Sequence, residues 1–123
     1  MPRLNHESHD RLLRSVPQVG SALVDLPAPD LRRLRYFAAV AEELSFSGAA
    51  IRLGLSQQAL SAQIRCLEEQ VGRSLFFRTT RRVELTAAGR ALLPKAQLSL
   101  QTAHEALDTA RASEPEPRYK PWL

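Results

Sequence analysis

Apolar side chains recur at helical spacing from residue 31 onward, broken once by a short alternating stretch. Leu31, Leu34, Phe37, Val40, Ala41 and Leu44 fall on one face, which predicts a helix from Leu31 to Leu44. Asp30, directly after Pro29, is placed to accept the free amides of its first turn. Ser47 is the expected cap of a second helix running to Leu53, with Ala49 and Ala50 small enough to admit a close neighbour. Gly54 supplies the left-handed residue that ends it, Leu55 plugs the turn, and Ser56 caps a third helix reaching Val71. Leu60, Ile64, Leu67 and Val71 form the buried stripe of that helix, and Gly72 closes it.

The alternating stretch follows. Residues 74–78 and 82–85 read as two short strands joined through Thr79, Thr80 and Arg81. Thr86 then caps a long helix to Ala112. Leu93, Ala96, Leu100, Ala103, Leu107 and Ala110 step by three and four along it, the spacing of a coiled-coil seam. Only its first two turns are expected to reach the domain's own core, leaving a partner helix to cover the rest. Pro94 removes one backbone bond and is expected to kink the helix. Residues 1–29 and 113–123, rich in proline and without sustained period, read as a disordered leader and tail.

The expected fold is therefore mainly α. A three-helix core with a two-stranded wing, residues 30–85, is followed by a linker or dimerisation helix, residues 86–112. The cap, small pair, glycine, plug and second cap between Ser47 and Ser56 describe a helix-turn-helix.

Charge gives this fold a partner. The chain has a formal net charge of +4. Its central segment, 30–93, holds ten Arg and six acids, whereas both flanks are neutral. A basic patch confined to one folded unit fits a polyanion. On the third helix, Gln57, Gln58, Ser61, Ala62 and Arg65 occupy the face opposite the stripe, and Glu68 and Glu69 come late. An N-terminal half free of acids suits the major groove, and the hairpin arginines suit a phosphate backbone.

Other classes fare poorly. A single cysteine, Cys66, excludes an internal disulfide and fits a reducing cytosol; its expected role is a half-buried filler. His6, His9 and His104 have no cysteine pair or acidic cluster beside them, so no metal site is expected. No glycine-rich phosphate loop or activated nucleophile is present, so neither an enzyme nor a cofactor is expected. No stretch has the apolar length of a membrane span, and no signal core follows the N-terminal arginines.

Residues 30–112 resemble the N-terminal winged helix-turn-helix domain and linker helix of LysR-type transcriptional regulators. The resemblance is carried continuously by LRRLRYFAAVAEELSFSGAAIRLGLSQQALSAQIRCLEEQVGRSLFFRTTRRVELTAAGRALLP. It implies a cytoplasmic, nucleoid-associated regulator that forms a homodimer through the long helix and reads an interrupted inverted repeat in double-stranded DNA. Base reading would fall to Gln57, Gln58, Ser61, Ala62 and Arg65. Backbone contacts would fall to Ser47, Ser56, Arg78, Arg81 and Arg82, with Arg52 a further candidate. Gln58 stands where the family usually has Pro, and Ala62 where many members have Arg. Gln suits adenine and Ala a thymine methyl, which points to A·T preference. The family's effector-binding domain is absent from this chain, so no small-molecule effector is expected for it. The alternatives are a truncated regulator that pairs with full-length relatives, or a non-functional fragment.

Overall fold

The computed structural model describes residues 24–26, 29–79 and 82–116. Most of the predicted leader, Arg81 of the predicted site and the tail beyond residue 116 lie outside the described residues. The elements run α1 (Leu31–Glu43), α2 (Phe46–Leu53), α3 (Gln57–Val71), β1 (Phe76–Arg78), β2 (Val83–Leu85) and α4 (Ala87–Ala112). This is the expected winged helix-turn-helix with a long following helix.

Helix α1 is central, packing against α2, α3 and α4. Asp30 caps it, its carboxylate accepting from the Arg32 amide at 2.9 Å. Its apolar face puts Phe37 and Val40 wholly out of solvent, together with Leu60 and Ile64 from α3 and Leu75 ahead of β1. Ala49 and Ala50, both buried, let α2 lie close to this core. The Phe37 and Phe76 rings sit 5.3 Å apart, and Phe46 meets Phe76 edge-on at 5.8 Å, both within the favourable range for aromatic pairs. Val71, expected to complete the α3 stripe, is instead exposed in the last turn.

Two helix boundaries differ from expectation. Helix α1 stops at Glu43, and Leu44 adopts the left-handed conformation at φ 50°. Ser45, not Ser47, caps α2: its hydroxyl accepts from the Gly48 amide at 3.0 Å. Starting two residues earlier brings Phe46 into the helix, where its ring meets Phe76. The turn between α2 and α3 forms as expected. Gly54 is left-handed at φ 69°, the Leu55 amide donates to the Ala50 carbonyl at 2.9 Å, and Leu55 packs against the core. Ser56 then caps α3 through the Ala59 amide at 3.1 Å.

The wing pairs antiparallel with Phe76 opposite Leu85 and Arg78 opposite Val83. Its strands are shorter than predicted, with Ser74, Leu75 and Arg82 outside them, and the carbonyls of Ser74 and Leu75 both accept from Thr86, the cap of α4. Thr86 donates its hydroxyl to the Ser74 carbonyl at 2.6 Å and its amide to the Leu75 carbonyl at 3.0 Å. The same hydroxyl accepts from the Gly89 amide, capping α4. Gly89 is required there, since a β-carbon would overlap the Leu75 carbonyl and sit 2.8 Å from Leu85.

Helix α4 has 26 residues and is therefore about 39 Å long. It continues through Pro94, with Leu92 and Leu93 packed on the core just before it and Ala96 buried just after. Three turns, not two, are thus anchored. Ala96 is only 1% exposed and Leu93 packs on the same cluster. The Ala96 position is thus filled by the chain's own core, which corrects its assignment to a partner, whereas Leu93 is only partly covered by that core. Farther out, Leu100 and Ala103 are half-buried, and Leu107 and Ala110 are exposed. Among the described residues no helix is long and apolar enough to cross a membrane, and no cluster of potential metal ligands occurs.

Candidate nucleic-acid interface

The face of α3 opposite its buried stripe is open. Ser56, Gln57, Gln58, Ser61, Ala62 and Arg65 line a shallow concavity of about 650 Å³. Five of them are exposed and Ser61 is half-buried. The periodicity that buries Leu60, Ile64 and Leu67 necessarily turns these positions outward. No acid stands in the first turn of α3, so the free amides there are not opposed by local negative charge.

A second concavity, of about 530 Å³, continues from this face to the wing. It shares Gln57, Ser61 and Arg65 with the first and adds Leu44 and Ser45 ahead of α2, Phe46 and Ser47 from α2, and Arg78, Thr79, Arg82 and Val83 from the wing. Residues from three elements, predicted separately to touch bases or phosphates, therefore border one continuous surface. Arg33 on α1 donates to the Gln63 side chain on α3 at 2.9 Å, tying the two helices together.

The cations divide into different states. Arg65 is exposed, and the ion pairs among the described residues do not include it. Arg82 is the most exposed of the paired ones and lies 3.5 Å from Glu84, a weak contact at a solvated surface. Its backbone is fixed instead: Thr79 and Arg82 close the wing through the Thr79 amide and hydroxyl, both donating to the Arg82 carbonyl.

Arg52 and Arg78 depart from expectation. Arg52 lies 3.0 Å from Glu42 and 3.4 Å from Glu43, at the end of α1, and lines neither concavity. The Glu42 hydrogen bond, and then its charge, hold the Arg52 guanidinium above its ordinary pKa. That side chain joins α1 to α2 and is not brought to the surface formed by the others. Arg78 does reach the groove, but pairs with Glu68 at 2.7 Å and stacks over Phe46 at 5.2 Å from the ring centre.

Sequence reasoning missed Thr79, Phe46 and Glu68. Thr79 carried the signal of a hydroxyl at a turn. Glu68 carried none, because its partners lie seven and ten residues away in a different element.

The helical core, the turn at Gly54 and the two-stranded wing define a winged helix-turn-helix protein. Residues 31–90 match the family model for bacterial regulatory helix-turn-helix proteins of the lysR family. The chain belongs to the LysR family.

Among its relatives, the HTH-type transcriptional regulator ShiR of Corynebacterium glutamicum is 54% identical over 87 residues, covering 71% of this chain and 30% of ShiR. BudR of Klebsiella aerogenes is 54% identical over 82 residues, covering 67% of this chain and 57% of BudR. The chain thus spans under two thirds of the length of these relatives. Among solved structures, the DNA-binding domain of CbnR in complex with DNA is 42% identical with a TM-score of 0.66. The similarity covers 68% of this chain and 97% of that one. The BenM DNA-binding domain in complex with catB site 1 DNA is 36% identical, with a TM-score of 0.67 over 70% of this chain and all of that one.

Proposed function

We propose that this chain binds duplex DNA sequence-specifically as the DNA-binding portion of a LysR-type transcriptional regulator, acting in the bacterial cytoplasm on the nucleoid. The observation that carries the reading is the continuous polar surface joining the α3 face to the wing. It has paired amides and hydroxyls for base edges beside an exposed arginine for the backbone, a division of labour that sequence-specific duplex readers require. The ShiR and BudR names and the CbnR and BenM complexes support the same reading.

In this reading Gln57, Gln58, Ser61, Ala62 and Arg65 approach the bases. Ser47, Ser56, Arg82 and Arg81 contact phosphates. Two copies pair through the distal seam of α4, from Leu100 to Ala110, where Leu107 is 56% exposed in the single chain. A two-fold pair of reading helices requires two related half-sites in the DNA.

Selection of bound duplexes from a random-sequence pool tests this directly. The expected product is an interrupted inverted repeat with A·T pairs enriched where Gln58 and Ala62 lie. A pool that never enriches would overturn the assignment.

A further inference from the structure

Arg78 borders the proposed DNA groove, yet its surroundings differ from those of the other cations there. Its guanidinium lies between two elements of the fold. One Nη is 2.7 Å from Glu68 Oε1 on α3, and the guanidinium carbon sits 5.2 Å from the centre of the Phe46 ring on α2. The second carboxylate oxygen of Glu68 accepts from the Leu75 amide, also at 2.7 Å. Both oxygens are thus committed, and the Glu68 side chain is only 13% exposed. Arg82, four residues on, is 79% exposed and lies 3.5 Å from the Glu84 carboxylate, itself 59% exposed.

We infer that Glu68 is a positioning residue which cancels the charge of Arg78 and fixes its guanidinium between α2 and α3, so that Arg78 orients the wing and does not neutralise a phosphate. The inference rests on the DNA-binding reading above and revises the role that sequence assigned to Arg78. Charge-assisted pairs with short geometry and low exposure hold their partners far more firmly than solvated ones. A guanidinium held in this way has already exchanged its counterion for a carboxylate. It therefore neutralises no phosphate and displaces none of the cations condensed on the DNA, whose release is what gives binding its salt dependence.

The test is the slope of log Kobs against log salt concentration for the full chain on a random-sequence duplex. Each cation that neutralises a phosphate contributes about 0.9 to that slope. Arg82→Ala is expected to reduce its magnitude by about 0.9, whereas Arg78→Ala leaves it unchanged. Glu68→Gln retains an acceptor for the Leu75 amide and releases the arginine, so the slope is expected to steepen by up to about 0.9 and affinity for any duplex to rise. A purely structural role for Glu68 would not steepen the slope.

If Arg78→Ala loses as much slope as Arg82→Ala, or Glu68→Gln leaves the slope unaltered, this inference is overturned while the DNA-binding reading stands. If the wild-type chain shows no salt-dependent binding, both are overturned.

Discussion

Glu68 on α3 and Arg78 on β1 form a 2.7 Å ion pair that fastens the wing to the proposed reading helix, while the other Glu68 oxygen satisfies the amide of fully buried Leu75. Truncation to alanine would leave that amide without a partner beside the core. Glu68→Ala is expected to cost about 1–3 kcal/mol in a urea titration, because an orphaned buried donor loses its full desolvation cost. Glu68→Gln, which keeps an acceptor, is expected to lose less. Equal stability of Glu68→Ala and wild type would contradict the assigned role.

Leu44 is the one described residue other than glycine with positive φ, at 50°, and its side chain is 53% exposed. A leucine there bears the steric cost of the left-handed region without the compensation of deep burial. Leu44→Gly is expected to stabilise the chain by about 0.5–1 kcal/mol, raising its thermal midpoint. A lower midpoint would show that the leucine contacts outweigh the backbone strain.

The helical cap at Asp30 titrates. The hydrogen bond from the Arg32 amide, aided by the charges of Arg32 and Arg33, holds its carboxyl below the usual aspartate range. A folded-state pKa below the unfolded one gives stability that is present above the ordinary aspartate value. That stability is lost as pH falls through the folded value. Asp30→Asn keeps a capping acceptor but cannot titrate. The advantage of wild type over this variant is therefore expected to hold steady at neutral pH and to shrink only as pH falls below the ordinary aspartate value, read as the difference in thermal midpoint. A difference independent of pH would contradict the cap's assigned charge.

The distal half of α4 offers a direct check on dimer formation. Leu107 is 56% exposed and remote from the core cluster, so Leu107→Glu should leave the fold intact. Burying an unpaired carboxylate in a helix seam is costly, and the proposed dimer is expected to weaken at least about tenfold in sedimentation velocity. An unchanged dimer would place the interface elsewhere.

The parts of this molecule legible in its sequence were those governed by local pattern. Apolar spacing located α1, α3 and the proposed reading face, and Gly54 and Gly72 marked helix ends where the backbone turns left-handed at φ 69° and 79°. Competition between neighbours was not legible. Ser45 and Ser47 are both good caps, and the choice was made by Phe46 reaching Phe76 across the fold. Leu44 ends α1 in a conformation its side chain disfavours, so no residue preference announced it. The seam on α4 looked uniform because periodicity records which residues share a face, not which body covers it; Ala96 turned inward and Leu107 did not. Arginines posed the same difficulty. Arg52, Arg78 and Arg82 are alike in sequence, and only the carboxylates brought beside them by folding set their different states.

Ala62 provides the sharpest test of the reading face. It is exposed at the middle of the α3 concavity, and its methyl group belongs to neither the core nor the partly buried residues packed on it. Ala62→Glu would place a carboxylate against the acidic groove without disturbing the fold. Fluorescence anisotropy on the best duplex from the selection is expected to show affinity reduced about a hundredfold or more, with an unchanged thermal midpoint, since opposed like charges cost several kcal/mol. Undiminished binding by this variant would mean that α3 does not face the DNA.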